Sequence, residues 1–259
     1  METVDKVEVE RFAGMAAEWW NPRGAFAALH AITPIRLSYI REQLLHHFGG
    51  DARSPRPFGE FTVVDIGCGG GLVAEPLARL GASVTGVDPG EENITAAKSH
   101  AAAQNLPINY RIGTSFDLAR EGRRFDCVIA FEVVEHVPDV PAFLQSCAAL
   151  ARPGGLVLLS TLNRTAKSFA LIIVGAEYVL RWLPRGTHRW DRFITPAELD
   201  EGLRASAITP TGHRGMTLNP LTGAWRLTDD LDVNYFAAAT KPDVPRAEVA
   251  QVQSRQELR

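Results

Sequence analysis

A strand-like run that leads directly into a cluster of glycines constrains this chain more than any other feature. The apolar, largely β-branched segment 61–66 is followed by glycines at positions 67 and 69 to 71, and segment 72–80 then places apolar side chains at helical spacing. This pattern predicts a buried strand, a tight turn and a helix. In an open α/β sheet, such a turn lies at the carboxyl end of its strand, where ligands bind. Gly67 and Gly69 would let the backbone approach a ligand closely, and the helix N-terminus would offer N–H groups to an anion.

Two acids near this turn indicate the kind of ligand. The next strand, 82–87, ends in Asp88, about 20 residues after the turn. A carboxylate at this position can accept hydrogen bonds from both hydroxyls of a ribose. NAD-binding proteins share such an acid, but Leu72 stands where their G-x-G-x-x-G pattern has its third glycine. Asp65, just before the turn, suits a ligand with a free amino group, such as the methionine part of S-adenosylmethionine. The pattern favours an S-adenosylmethionine site; the alternative is a glycine turn with a purely structural role.

Composition and charge exclude several classes of protein. The 259 residues suffice for one full α/β core with appended helices. Lysine plus arginine (27) nearly balance aspartate plus glutamate (30), so no footprint for nucleic acid is visible and we expect no nucleic-acid partner. The three cysteines lack metal-binding spacing and indicate a reducing cytosol. The first residues contain no apolar stretch typical of secretion, and no apolar run reaches about eighteen residues.

Residues 1–60 are expected to form helices and a linker that act as a lid on the same domain. Trp19 and Trp20 are adjacent, so at least one could line a pocket; packing in the core is the alternative. Thr33 followed by proline predicts the start of a helix. This places Arg36 in a first turn, where the helix dipole disfavours a cation, and the misfit suggests a partner such as a ligand carboxylate.

From the turn to about residue 161, strands alternate with helices, which predicts a parallel, doubly wound sheet. The domain is expected to span 61–241, with two last strands at 208–216 and 232–239. Ser115 follows the third strand, where it could reach an adenine. A helical insertion is expected at 163–205, between the fifth and sixth strands, and a mobile tail at 242–259. Within the insertion, 168–183 is mostly apolar but too short and too charged to span a bilayer. It is either a buried helix or one that lies at a membrane interface, anchored by Tyr178, Trp182, Arg181 and Arg185.

A second group of polar residues follows the fourth strand. Glu132, Glu135 and His136 have the i, i+3, i+4 spacing that places side chains on one face of a helical turn. Two carboxylates and an imidazole would suit a divalent cation with open coordination positions. The alternative is that His136 is a packed histidine and that Glu132 holds the edge of the cofactor. His188 lies in a polar loop and is a candidate for substrate contact or for the catalytic base.

The chain resembles the ubiquinone-biosynthesis O-methyltransferases from about Phe12 to Phe236. The glycine motif is common to many methyltransferases, whereas 174–178 and 232–235 are specific to this family. The segments that carry the resemblance are Trp19-Trp20, His30–Leu37, Val64–Gly71, Glu132–Val137, Ser160–Arg164, Val174–Leu180, Gly186–His188, Asn219–Thr222 and Asp232–Phe236.

The resemblance implies a Rossmann-like, class I methyltransferase fold, with a seven-stranded sheet of order 3-2-1-4-5-7-6 and one antiparallel strand. It implies contacts to S-adenosylmethionine at the positions of Arg36, Gly67, Asp88 and Phe131, beside the acid Asp65 and the turn glycine Gly69. It also implies a divalent cation on Glu132, Glu135 and His136, with magnesium the usual ion and zinc or iron possible. Segment 168–183 matches the membrane-associating region of the family.

The function implied is O-methylation of phenol or catechol hydroxyls on polyprenylated ubiquinone precursors, at both O-methylation steps. The protein would then be cytoplasmic and peripherally bound to the inner face of the membrane, near other proteins of ubiquinone biosynthesis. Two alternatives stay open: methylation of another small phenol, and a non-catalytic lipid-binding role within a quinone-synthesis complex.

Overall fold

The glycine turn follows a central strand of an eight-stranded mixed sheet. The computed structural model describes residues 6–179, 186, 188–219 and 222–243. In these residues the strand order is β3-β2-β1-β4-β5-β8-β6-β7. The strands are β1 (Thr62–Ile66), β2 (Ser83–Asp88), β3 (Asn109–Ile112), β4 (Phe125–Phe131), β5 (Ala151–Leu162), β6 (Thr209–Leu218), β7 (Trp225–Thr228) and β8 (Asn234–Thr240).

Helices cover both faces of this sheet. The α-helices are α1 (Lys6–Ala13), α2 (Ala27–Phe48), α3 (Ala74–Arg79), α4 (Glu91–Ala103), α5 (Ser115–Arg120), α6 (Val140–Leu150), α7 (Ala166–Ser168) and α8 (Pro196–Ala205). A π-helix, Phe169–Val179, continues α7 and is called the edge helix below. Short 3₁₀ turns occur at Ala16–Glu18, Val134–His136 and Trp190–Arg192.

The first five strands are parallel, as predicted, and the order 3-2-1-4-5 is confirmed. Strand β8 is antiparallel to both β5 and β6, which also agrees with the expected topology. The expected count of seven strands is wrong, however, because β7 adds an eighth at the edge, antiparallel to β6. The turn between β6 and β7 is closed by backbone bonds from Asn219 to Ala224 and from Gly223 to Asn219.

The predicted start of α2 is also wrong. The helix begins at Ala27 rather than at Thr33 and passes through Pro34. Instead of capping a new helix, the Thr33 hydroxyl donates to the carbonyl of Leu29 within the same helix, 2.8 Å away. Burial of Tyr39, Ile40 and Leu44 against the sheet supports the helix despite the missing proline N–H. Arg36 therefore lies in the third turn, and the helix-dipole argument for its role fails.

The two faces of the sheet form two apolar cores because neighbouring strand residues point to opposite sides. Val63 belongs to the core under α2, α3 and α4, whereas Val64 belongs to the core under α5, α6 and α8. Between β5 and β6 the chain forms α7, the edge helix, the turn at 190–192 and α8. The predicted tail lies outside the described residues from 244 onward, as does part of segment 168–183.

Stacking between α2 and β8 fixes the long helix to the sheet. Phe236 is fully buried and its ring stacks on Tyr39 of α2 at a centroid distance of 4.4 Å. We expect Phe236→Ala to lower the free energy of unfolding by about 3–5 kcal/mol, because the substitution leaves a cavity in a packed core. The same change at Phe169, which is 43% exposed, is the matched control and should change it by about 0.5 kcal/mol or less. Chemical denaturation measures both, and equal losses would contradict this packing.

Candidate active site

The glycine turn after β1 is shaped by close contacts with two neighbours. Gly67 and Gly69 adopt positive φ values, 68° and 50°, which L side chains rarely adopt. A β-carbon at Gly67 would lie 2.6 Å from the Val133 side chain, and one at Gly69 would lie 2.4 Å from the Trp19 ring. The N–H of Gly69 donates to the carboxylate of Asp88, 3.0 Å away. Larger residues at these positions would displace either the turn or its neighbours.

Asp88, at the end of β2, is held by three donors. Its carboxylate accepts hydrogen bonds from the N–H of Gly69, the N–H of Gly90 and the side-chain amide of Asn93, at 2.8–3.0 Å. Burial raises the pKa of Asp88, while the hydrogen bonds from Asn93, Gly90 and Gly69 oppose that rise. Each carboxylate oxygen has two lone pairs, so Asp88 retains capacity to accept from a ligand.

Asp65 and Arg36 form a pair of opposite charges that lies deep in the pocket. Asp65 is 3% exposed, and its Oδ2 has no hydrogen-bond partner among the described residues. Burial raises the pKa of Asp65 to about 7, with the Arg36 charge opposing the rise and the Asp88 charge adding to it. Arg36 is 4% exposed, and its Nε and Nη2 likewise lack hydrogen-bond partners in the described chain. A pocket with unpaired atoms on both an acidic and a basic side chain is suited to a ligand that carries both charges, a zwitterion.

The second predicted group is only partly assembled. Glu132 has a positive φ of 55°, accepts a 2.6 Å hydrogen bond from the hydroxyl of Ser160, and lies 3.5 Å from Arg36. Glu135 is buried and accepts from Thr161 at 3.0 Å, while its Oε1 has no partner among the described residues. Burial raises the pKa of Glu135, and the Glu132 charge adds to the effect.

These side chains do not share one face of a helical turn as predicted, because only 134–136 are helical and as a 3₁₀ turn. Nor does the described part of the chain contain a group of three His, Cys, Asp or Glu side chains placed to hold a metal ion. The predicted ligand set of Glu132, Glu135 and His136 is therefore not formed in this conformation. His188 lies close to His136, with 6.0 Å between the ring centroids.

One large pocket of about 990 Å³ connects both groups. Its volume lies at the upper end of the range for small-molecule sites, so it has room for a cofactor and a second ligand. The side chain of Ser115 is also engaged within the protein, since its oxygen accepts from the hydroxyl of Ser146 at 2.7 Å. Of the predicted site residues, Glu135 alone is not part of the pocket wall; the wall includes Arg36, Asp65, Gly67, Gly69, Asp88, Ser115, Phe131, Glu132, His136 and His188.

The N-terminal segment lies over the glycine turn through its two tryptophans. Trp19 is buried, stacks on Phe26 at 3.7 Å and donates from its indole N–H to the Asn93 side chain at 2.8 Å. Trp20 donates to the carbonyl of Gly70 at 3.0 Å and stacks on His100 at 3.5 Å. Trp19 lines the pocket as well as packing in a small core, so both alternatives considered for it apply.

Two residues that hold side chains of the site were not predicted from the sequence. Asn93 bonds both Asp88 and Trp19, but asparagine in a helix carries no signal of such a role. Glu177 is 1% exposed and binds His188, with 3.0 Å between its Oε1 and the histidine Nδ1. The sequence did contain a signal for Glu177, because a charge within an apolar run needs a partner once it is buried.

Comparison with known proteins identifies relatives over nearly the whole chain. A family model described as a methyltransferase domain matches residues 35–206. The ubiquinone biosynthesis O-methyltransferase of Azorhizobium caulinodans is 55% identical over 234 residues, covering 90% of this chain and 92% of that protein. The protein of the same name from Cereibacter sphaeroides is 52% identical, with coverage of 93% and 98%. That of Mesorhizobium japonicum is 50% identical, with coverage of 93% and 97%.

Solved structures share the fold at low sequence identity. The magnesium protoporphyrin IX methyltransferase of Synechocystis PCC 6803 with bound SAH superposes with a TM-score of 0.64 at 21% identity, covering 92% of this chain and all of that one. The DhpI–SAH complex superposes with a TM-score of 0.57 at 20% identity, with coverage of 93% and 97%. At these identities the likeness establishes the fold alone.

Proposed function

The chain belongs to the ubiquinone biosynthesis O-methyltransferases, and from this premise we propose that its pocket brings S-adenosylmethionine together with a phenol or catechol hydroxyl of a polyprenylated ubiquinone precursor. The protein is an S-adenosylmethionine-dependent O-methyltransferase. The observation that carries the proposal for the site is that Arg36 and Asp65, which have opposite charges, both have buried polar atoms without hydrogen-bond partners, beside the acid Asp88 at the end of the next strand.

Each part of the cofactor would meet a complementary group in the pocket. The carboxylate of the methionine part would bind the guanidinium of Arg36, and its amino group would bind Asp65. The ribose hydroxyls would bind Asp88, and Ser115 would lie near the adenine. Gly67 and Gly69 would allow close approach of the backbone, and Phe131 would pack against the bound molecule. Hydrogen bonds between the cofactor and the unpaired atoms of Arg36 and Asp65 would remove the free-energy cost of burying these atoms without partners.

Catalysis would depend mainly on alignment and on exclusion of water. The sulfonium supplies an electrophilic methyl group, and a phenol with a pKa near 10 needs help to act as a nucleophile at neutral pH. The pocket wall would hold oxygen, methyl and sulfur in line, and Trp19 and Trp20 would close the site against solvent. Glu132, His136 and His188 would form the wall where the acceptor ring lies, with Glu135 behind it and His188 able to contact the substrate hydroxyl.

A divalent cation is a further part of the proposal, and the side chains as arranged do not yet fit one. Glu132 and His136 reach the pocket, whereas Glu135 lies behind its wall with one unpaired carboxylate oxygen. A buried carboxylate oxygen without a hydrogen-bond partner favours either a proton on the carboxyl group or a cation beside it. Magnesium, or zinc or iron, would need Glu135 to turn toward the pocket, and would then favour the phenolate form of the substrate.

Methyl transfer from labelled S-adenosylmethionine to a short-tailed catechol tests the function and the metal together. We expect transfer that excess EDTA abolishes and magnesium restores. Methyl transfer that EDTA leaves unchanged would support the methyltransferase activity and contradict the role of a cation. An absence of transfer to the catechol, with transfer to other phenols, would indicate the first alternative. Bound cofactor without any transfer would indicate the non-catalytic role.

The raised pKa of Asp65 predicts a pH dependence of cofactor affinity. Only the ionised carboxylate attracts an ammonium group, and burial raises the pKa from 3.8 to about 7. Lowering the pH from 7.5 to 6.0 should therefore weaken binding roughly eightfold, as measured by calorimetry. By the same linkage, this carboxyl makes the ligand-free protein less stable as the pH rises from about 4 to about 7, because the folded state binds the proton more tightly.

Asp65→Asn is the control for this effect. The variant should bind the cofactor weakly at both pH values, with no step between them. A step of the same size in Asp65→Asn would assign the titration to another group and contradict the role of Asp65.

We also propose that the edge helix places the protein on the inner face of the membrane, where a polyprenylated substrate resides, near other enzymes of the pathway. No helix in the described residues is long and apolar enough to cross a membrane. The edge helix and the turn at 190–192 instead expose large apolar side chains, 39–53% accessible: Phe169, Leu171, Val174, Tyr178 and Trp190. A cluster of this kind suits an interfacial helix better than the buried alternative. The proposed anchors Arg181, Trp182 and Arg185 lie outside the described residues.

Phe169→Glu with Val174→Glu should release the protein from anionic liposomes in a flotation assay, because both exposed side chains would lose their apolar contact with lipid. Neither residue lines the pocket, so methylation of a water-soluble catechol should persist. The matched control is Ile112→Glu, a residue 53% exposed on β3, which should leave liposome binding unchanged. If the double variant still bound liposomes, the membrane contact would have to lie elsewhere on the protein.

A further inference from the structure

Glu177 is a buried carboxylate on the edge helix, and three N–H groups bind it. Its Oε2 accepts from the backbone N–H of Gly186 at 2.7 Å. Its Oε1 accepts from the backbone N–H of His188 at 2.9 Å and from the imidazole Nδ1 of His188 at 3.0 Å. The carboxylate is 1% exposed on an otherwise apolar helix, so these bonds are what makes its burial tolerable.

The bonds to Glu177 determine the tautomer of His188. Burial alone would raise the pKa of Glu177, but the hydrogen bonds from the His188 ring and from the two backbone N–H groups outweigh it and lower the pKa. An ionised carboxylate only accepts hydrogen bonds, so Nδ1 of His188 must carry the hydrogen. In the neutral imidazole, Nε2 is then the acceptor.

The position of His188 directs this acceptor toward the pocket. His188 lines the pocket, whereas Glu177, to which Nδ1 is turned, does not. Nε2 therefore lies on the pocket side of the ring. The fully buried ring of Phe193 packs at 6.1 Å from the imidazole and restricts its rotation. Leu171, Ile172 and Gly175 of the edge helix line the same pocket, so the helix that carries Glu177 also forms part of the wall.

We propose that Glu177 is a positioning residue that fixes His188 so that Nε2 accepts the hydrogen bond of the substrate's phenolic hydroxyl. This inference rests on the proposed function, and it adds the residue that orients the acceptor. With its hydrogen directed to Nε2, the hydroxyl oxygen would present a lone pair to the methyl group. A buried carboxylate that holds an imidazole in one tautomer has this effect in other enzymes, where it acts through the histidine rather than on substrate.

A double-mutant cycle separates positioning from a structural role. Glu177→Gln and His188→Gln should each lower kcat for a short-tailed catechol roughly tenfold or more, with cofactor affinity unchanged. The double variant should be no slower than His188→Gln alone, because Glu177 acts only through the histidine. Glu198→Gln is the matched control, since Glu198 also accepts from a backbone N–H, at 2.9 Å from Thr195, but lies away from the pocket. Independent, multiplying losses would overturn the proposal.

The wild-type protein provides a second test that needs no stable Glu177 variant. Nitrogen NMR of ¹⁵N-histidine-labelled protein, with the His188 signals assigned by their loss in His188→Gln, should show Nδ1 protonated and Nε2 unprotonated, and catechol should shift Nε2. The opposite tautomer, or an Nε2 signal that catechol leaves unchanged, would refute the proposal. Absence of methyl transfer in the wild type would count against the proposed function, while the tautomer would still decide whether Glu177 fixes His188.

Discussion

The hydrogen bond from the Gly69 N–H to the Asp88 carboxylate joins the first two strand ends, and the pocket depends on it. It requires a backbone with φ of 50° and no side chain, because Trp19 occupies the space where a β-carbon would lie. The same carboxylate holds Asn93, which in turn holds Trp19. One acid therefore connects the turn, the helix after β2 and the N-terminal segment that covers them.

Polar atoms of opposite charge that lack hydrogen-bond partners in the pocket support the proposal that this site binds a zwitterion. A buried carboxylate or guanidinium without partners destabilises a fold, and substitution by apolar residues would relieve it. Asp65 and Arg36 nevertheless lie in one pocket with unpaired atoms. In the proposed complex, the ammonium and carboxylate groups of the cofactor would pair with these atoms and offset the free-energy cost of burying them. The same two residues would then lower the stability of the ligand-free protein while raising its affinity for the cofactor, a trade-off that is common at functional sites.

Local patterns sufficed to predict the parallel half of the sheet, because each strand end, turn and helix has its own signature. Local patterns failed where contacts between residues distant in sequence decide the structure. Thr33 lies inside a helix that packing extends back to Ala27, and β7 is a strand because it pairs with β6. The i, i+3 spacing placed Glu132 and Glu135 on one face of a helical turn, whereas in the structure Ser160 and Thr161 of β5 bind them separately. Arg36 lines the pocket, but the helix-dipole argument for its role was wrong. The role proposed for Glu177 depends on its hydrogen bonds with Gly186 and His188, which the spacing of residues does not predict.

The edge helix both exposes apolar side chains and lines the pocket, with Leu171 in both sets, and Glu177 joins it to His188. A lipid-bound substrate could then enter beside this helix with its ring toward His188. A crystal structure of the protein with SAH and a short-tailed catechol tests the central claim that one pocket holds both molecules. The account predicts ribose hydroxyls on Asp88 and a catechol hydroxyl within hydrogen-bond distance of His188 Nε2. A cofactor bound away from Asp65 and Asp88, or a catechol whose hydroxyls face away from His188, would contradict it.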